Sequence, residues 1–325
     1  MRMNYYLYKL SFDTSVHFGG TSSALSLYAS EDHFCADTLF SALCHTALSL
    51  GGEAYLNRLC VMAEAGELLL SDGMPYKADR LFIPKPCVSS ETKKEIPSKQ
   101  RKAAKKLEWI PLDAFSDFSE SVHGSGAFDA LEAKEVFGVA SETAKVAIFP
   151  GEDAMPYQIG IFTFCSDCGL WFISGCVDDA QADFIGKLLT GLGLSGFGGK
   201  VSSGYGKFHV EDAICLDEPF DETTQWLADA LMKDTGRYLL LSAALPTEEE
   251  LEEIIPGAEY KLIRRSGFVQ SDHYADENRK KKEQYFLAAG SVLGKRFSPK
   301  LYEAGENGHH PVYRFSGPVF LGVEL

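Results

Sequence analysis

Residues 194–210 read LSGFGGKVSSGYGKFHV, five glycines (Gly196, Gly198, Gly199, Gly204 and Gly206) set around Lys200, the adjacent Ser202 and Ser203, and Tyr205. Glycine lets the backbone reach positive φ and lets another group approach the main chain with no Cβ in the way. Successive N–H groups in such a loop form a concave anion site, to which a lysine and two hydroxyls add charge and donors. A phosphate-bearing partner is the first expectation. The plain alternative is a glycine turn leading into a strand.

The usual nucleotide motifs do not fit. A Walker loop needs Ser or Thr after its lysine, and here Val201 follows Lys200. A dinucleotide fingerprint needs a strand before its glycines and a helix after them. Here residues 180–192 have helical spacing and residues 205–214 alternate like a strand. Helix, glycine loop, strand matches the last crossing of a ferredoxin-like βαββαβ domain.

With 325 residues the chain is long enough for two cores, and no run of eighteen apolar residues marks a membrane span. The amino terminus alternates like a strand and lacks a signal peptide's apolar stretch, which predicts a cytoplasmic protein with no membrane partner. Net charge is −15, from 31 basic and 46 acidic residues, which argues against a general nucleic-acid binder. The charges are uneven, however, with basic runs at 93–106 and 279–282 and acidic stretches at 108–135, 212–234 and 248–259. One face for an anion and another for a basic protein would fit. The eight cysteines are scattered, and the single CxxC (Cys165, Cys168) has no second pair or nearby histidines. A reduced protein with no metal and no cofactor is expected.

Along the chain, 5–13 reads as a strand, 36–50 as a helix capped by Asp37 and stopped at Gly51, and 54–65 as a second helix. Short strands are expected at 68–70 and 81–83, then a basic segment and an insertion whose GSG (124–126) suggests a projecting hairpin. Residues 157–164 and 170–176 read as a hairpin turning at Cys165–Cys168. In the second half, strands are expected at 238–243, 260–269, 285–289 and 312–325, with a helix at 247–255 opened by a Thr247–Glu250 capping box. The fold class is therefore α+β: two tandem ferredoxin-like βαββαβ domains. The first covers 1–220, with an insertion at about 85–150, and the second covers 221–325.

Catalytic signatures are thin. His17 follows the first strand and suits a general acid or base, or a packing role beside the glycine loop, but no clear partner residue accompanies it. No nucleophile elbow, paired-carboxylate motif or metal triad occurs. Binding is better supported. KLIRRSGFVQS gathers Arg264, Arg265 and Phe268 around Gly267, a pattern suited to phosphates and an unpaired base, and Lys280, Lys281 and Lys282 follow.

Three stretches occur in order: HFGG (17–20) with ADTLFSAL (36–43), the glycine loop, and RRSGFVQS (264–271) with YFLAAGSVL (285–293). Together they resemble the RAMP subunit family of type III-A CRISPR effector complexes that caps the crRNA 5′-tag end, the fourth Csm subunit. The resemblance spans nearly the whole chain and is weakest at 88–150 and 215–236. It implies a non-catalytic subunit whose partners are the crRNA 5′ tag, the large polymerase-like subunit and a backbone RAMP subunit. It also implies that Gly196, Gly198, Gly199, Lys200, Ser202, Ser203 and Tyr205 lie along the tag. His17, Gly19 and Gly20 would lie beside them, with Arg264, Arg265 and Phe268 from the second domain, and the insertion would hold a hairpin pushed against the guide. Two alternatives remain at this point, a RAMP endonuclease using His17 and a structural adaptor without RNA contact. In such endonucleases the glycine loop lies near the carboxyl terminus, whereas here more than a hundred residues follow it.

Overall fold

A computed structural model describes residues 2–19, 27–89, 98–125, 128–147 and 153–325. The first half opens with β1 (Asn4–Phe12), the short pair β2 (Phe18–Gly19) and β3 (Ser30–Glu31), and the long helix α1 (Ala36–Glu64). There follow β4 (Leu68–Leu70), β5 (Met74–Lys77), β6 (Arg80–Pro84), α2 (Ser98–Lys106), β7 (Trp109–Pro111) and α3 (Phe115–Val122). A long hairpin, β8 (Gly138–Ala147) and β9 (Met155–Phe164), precedes β10 (Cys168–Cys176), α4 (Asp179–Ser195) and β11 (Phe208–Cys215). The second half holds α5 (Glu222–Met232), β12 (Tyr238–Leu240), α6 (Glu248–Ile254), β13 (Leu262–Arg265) and β14 (Gln284–Leu287). It ends with β15 (Val292–Leu293), β16 (Lys300–Glu303), β17 (Tyr313–Ser316) and β18 (Phe320–Gly322).

The organising sheet runs β11-β1-β10-β5-β6-β7, with β4 also paired to β10. β1 lies antiparallel to both neighbours, Leu7 facing Ile173 of β10 and Ile214 of β11. Side chains alternate across the sheet. Tyr8, Leu10, Leu170 and Phe172 share one core with Leu39, Phe40 and Leu43 of α1 and Phe184, Ile185 and Leu188 of α4. Leu7, Trp171 and Ile173 share the opposite core with Leu227 and Leu231 of α5, Leu239 and Leu241, and Val319 and Leu321. The second half of the chain, together with α3, therefore covers the face that α1 and α4 leave open. Both faces of β10 are buried, so its sequence CGLWFISGC is a continuous apolar run and not an alternating one. Trp171 keeps its indole N–H satisfied inside this core by donating to the carbonyls of Pro75 and Phe82.

α1 is two helical pieces joined across non-helical Gly51 and Gly52, as the expected stop at Gly51 requires. α4 is capped by Asp178, which accepts from the Gln181 N–H at 2.8 Å. The Thr247–Glu250 capping box opens α6 as expected. Asp37 is not the cap of α1. Cys35 holds that position, and Asp37 sits in the first turn with its carboxylate turned toward the second half.

Two pairings differ from expectation. β9 does not form a hairpin with β10; it pairs along its whole length with β8, from Gly138↔Phe164 to Ala147↔Met155, while β10 pairs with β1, β4 and β5. The long hairpin thus comes from 138–164, and the expected GSG site lies outside it: Gly124 ends the turn after α3, and position 126 lies outside the described residues. α5 was not anticipated because its acidic flanks mask the periodicity of Leu227, Ala230 and Leu231.

The described cysteines are all unpaired. In the CxxC, Cys165 is exposed and Cys168 buried, and burial with the adjacent Asp167 pushes the Cys168 thiol up to about 12. That suits an inert packing role better than redox chemistry. Among the described residues no group of three or more His, Cys, Asp or Glu is placed to hold a metal, and no helix is long and apolar enough to cross a membrane.

Candidate nucleic-acid cleft

The glycine loop is stitched to the chain leaving β1. Gly199 donates its N–H to the His17 carbonyl at 2.8 Å, and Gly206 donates to Ser15 at 2.9 Å. A Cβ at Gly206 would stand 2.0 Å from the Phe197 carbonyl oxygen, and one at Gly199 would stand 2.6 Å from the His17 ring. These glycines thus permit close backbone packing, and the N–H groups of Gly196, Gly199, Gly204 and Gly206, expected for an anion, are used internally. The outward donors lie next along the chain. Lys200 adopts a left-handed conformation (φ 61°) and starts a short 3-10 turn, Val201–Ser203, whose opening N–H groups have no carbonyl within the turn.

His17 is buried, and its Nδ1–H donates to the Gly160 carbonyl at 2.6 Å, leaving Nε2 as the acceptor nitrogen. The bond fastens the β1 exit to β9. Two cation–π contacts fasten the same hairpin to the glycine loop: Lys200 over Tyr157 and Lys145 over Tyr205, each 4.9 Å from the ring centroid. The loop, His17 and the β8–β9 hairpin, engaged from its middle at Gly160 to the Lys145–Tyr157 pair nearer its turn, therefore form one unit.

This unit edges a cleft of about 2290 Å³ that runs between the two halves of the chain. His17, Gly19, Gly196, Gly198, Gly199, Lys200 and Ser202 line it from the first half, with Arg265 and Phe268 opposite from the second. Ser203, Tyr205 and Arg264 stand outside the lining, and Gly20 lies outside the described residues. Phe268 is exposed, with Lys280 over its ring at 5.8 Å, so an aromatic face is held at the cleft edge.

Arg265 is anchored and not free. It donates to both carboxylate oxygens of Asp37, at 2.6 and 3.1 Å, and to the Thr38 hydroxyl at 2.9 Å. Arg314 approaches the same carboxylate at 3.5 Å. Burial alone would push the Asp37 carboxyl up, but Arg265, Arg314 and Lys281 together hold it below the usual carboxylate range. A second buried carboxylate, Asp72, accepts from the N–H groups of Ala36 and Ala243, tying the start of α1 to the segment after β12. Its burial outweighs those two bonds and pushes it up to about 6.

Comparison with known proteins sets this geometry in a family. A model of the CRISPR Csm4 C-terminal domain matches residues 233–323. The CRISPR system protein Csm4 of Mycobacterium tuberculosis is 34% identical over 323 residues, covering 99% of this chain and 98% of its own length. This chain belongs to the Csm4 family. Csm4 of Streptococcus thermophilus is 29% identical over 332 residues, covering 99% and 100% of the two chains. Among solved structures, one chain of a Csm3–Csm4 subcomplex from a type III-A CRISPR-Cas interference complex superposes with a TM-score of 0.62 at 16% identity, covering 99% of both chains. A chain from a Csm1–Csm4 cassette bound to pppApA gives 0.60 at 18%, covering 99% and 98%. At these identities the structural likeness concerns the fold.

Sequence reasoning missed part of the cleft of this Csm4-family chain. Thr38, Ser41, His45 and Ser49 of α1 line it, as do Trp109 and Arg314, beside Lys281 of the expected basic run. The spacing 38, 41, 45, 49 is a helical stripe complementary to the apolar one, and it was the available signal. Arg314 gave none, standing between two core residues of a short strand.

Proposed function

We propose that this chain is a non-catalytic RNA-binding subunit of a type III-A Csm complex, gripping the repeat-derived 5′ tag of the crRNA in the cleft between its two halves. The observation that carries the reading is the convergence on one cleft of the glycine-loop unit and the Arg265–Phe268 segment, which lie in different halves of the chain. Cations, exposed N–H groups and one exposed aromatic suit a single-stranded backbone with a stacked base. The β8–β9 hairpin, joined to the loop through Lys145 and Lys200, is the element we assign to press against the guide. The solved Csm4 relatives found with Csm1 and with Csm3 support the large subunit and a backbone RAMP subunit as partners here. The acidic outer surface then faces proteins and the local basic groove faces RNA.

The strand order fourth-first-third-second of β11, β1, β10 and β4/β5, with α1 and α4 on one face, supports a ferredoxin-like first domain over 1–220. The second, 221–325, is the more divergent copy, divided into a three-stranded sheet and two hairpins.

Crosslink mapping of the assembled complex on a tagged guide tests the assignment. Crosslinks from the 5′ tag to 196–208 and 264–268 with the RNA intact are expected. Cleavage of a precursor by this chain alone, lost in His17→Ala, would replace the reading with an endonuclease.

A further inference from the structure

Lysines 280, 281 and 282 lie on an extended segment pinned on both sides. Lys281 donates its backbone N–H to Gly267 at 2.8 Å, Lys282 donates to Ala304 at 2.8 Å, and Val269 donates to Arg279 at 2.9 Å. Alternation along extended backbone separates the three side chains. Lys280 covers Phe268 and Lys282 pairs with Glu306 at 3.7 Å, whereas Lys281 lines the cleft and has no ion pair among the described residues. It faces a cluster with too little negative charge: Arg265 and Arg314 share the one carboxylate of Asp37. Arg314 is almost wholly buried, and its Nε has no hydrogen-bond partner among the described residues.

We propose that this cluster is a phosphate seat, distinct from the glycine loop, in which Lys281 backed by Arg314 receives a phosphodiester of single-stranded RNA, with Ser41 and His45 of α1 at its rim. The inference rests on the reading of the cleft as an RNA groove. Burial and the neighbouring guanidiniums hold the Lys281 ammonium below its ordinary value although Asp37 acts the other way, and burial and Lys281 hold His45 down. A group in that condition is a charge lacking its counterion. An arriving phosphate relieves the repulsion, supplies acceptors to the ammonium and rewards protonation of His45. The α1 stripe runs through the same cleft as the loop unit, so one strand can engage both.

The test uses the full-length chain and a short single-stranded guide RNA carrying a 5′ tag. Affinity is measured by fluorescence anisotropy across a salt series, with Tm measured beside it. Lys281→Gln is expected to weaken binding roughly three- to tenfold at low salt and to flatten the slope of log affinity against log salt by about 0.7, the share of one phosphate contact. Its Tm in the absence of RNA stays level or rises, because a like-charge repulsion is removed. Lys281→Arg keeps the wild-type slope. If Lys200→Gln weakens binding while Lys281→Gln leaves affinity and slope unchanged, the groove stands and the seat is overturned. If neither changes binding, the RNA reading itself fails. A fall in Tm for Lys281→Gln also overturns the seat, since the lysine would then be a structural charge.

Discussion

The Asp37–Arg265 pair joins α1 to β13 across 228 positions of sequence, and its removal has a calculable consequence. Side-chain exposure is 8% for Asp37 and 14% for Arg265, so neither charge is well solvated. In Asp37→Ala, Arg265 and Arg314 lose their shared carboxylate and stand as uncompensated charges beside Lys281. Breaking a buried pair from one side costs about 3–5 kcal/mol. An unfolding entropy of about 2.1 cal/mol/K per residue, taken over the whole chain, converts this to a fall in Tm of roughly 4–7 °C. Replacing both partners, as Asp37→Leu with Arg265→Met, leaves fewer orphaned charges and should recover at least half of the loss. Differential scanning calorimetry on the two single variants and the double variant measures the coupling. A Tm within about 1 °C of wild type for Asp37→Ala, or strictly additive losses in the double variant, would refute the claim that this pair clamps the two halves. The low Asp37 value adds a direction. The pair's contribution is complete above the ordinary carboxylate range and is lost as pH falls through the depressed value, so Asp37→Ala and wild type should converge in acid.

Other predictions concern the loop, the buried carboxylate and His17. Gly206→Ala forces a Cβ onto the Phe197 carbonyl, whereas Gly204→Ala meets nothing within 4 Å and bears only its left-handed φ of 87°. Urea titration should find Gly204→Ala down by about 1–2 kcal/mol and Gly206→Ala down by clearly more; equal losses would show that backbone packing does not hold the loop. Asp72 is raised, so its charged form opposes folding: stability falls as pH climbs from about 4 to about 6 and is level above that. Asp72→Asn keeps an acceptor for Ala36 and Ala243, and Tm against pH should be flatter for it than for wild type across that window. His17→Ala removes the donor to Gly160 and should cost about 1–3 kcal/mol, with crosslinks weakened and RNA left uncut; a variant as stable as wild type would mean that the bond fastens nothing.

Local pattern was a sound guide wherever an element depends on its own neighbours. Alternation located β1, glycine located the break at 51–52 in α1, helical spacing located α4, and the Thr247–Glu250 capping box marked the start of α6. The ordered motifs also identified the family, in agreement with the full-length similarity to Csm4 of Mycobacterium tuberculosis. Asp37 was read as a cap because Asp before an apolar helix is most often that; its true partner, Arg265, is invisible to local spacing. The same limit hid the pairing of β9 with β8, because two adjacent apolar strands suit a hairpin whether or not the sheet uses them so.

The sequence by itself determined the elements whose pattern is local, among them β1, α1, α4 and α6, and the glycines and cations of the cleft, because periodicity, capping and glycine conformations act over a few residues. Tertiary structure alone decided which faces meet. The second half covers the open face of the first-half sheet, so α1 is held at Phe40 by the stacked ring of Phe315, and Arg265, Arg314 and Lys281 are brought to one carboxylate. Contacts between residues hundreds of positions apart are selected by burial and charge compensation in the assembled fold, and no short stretch of chain contains both partners.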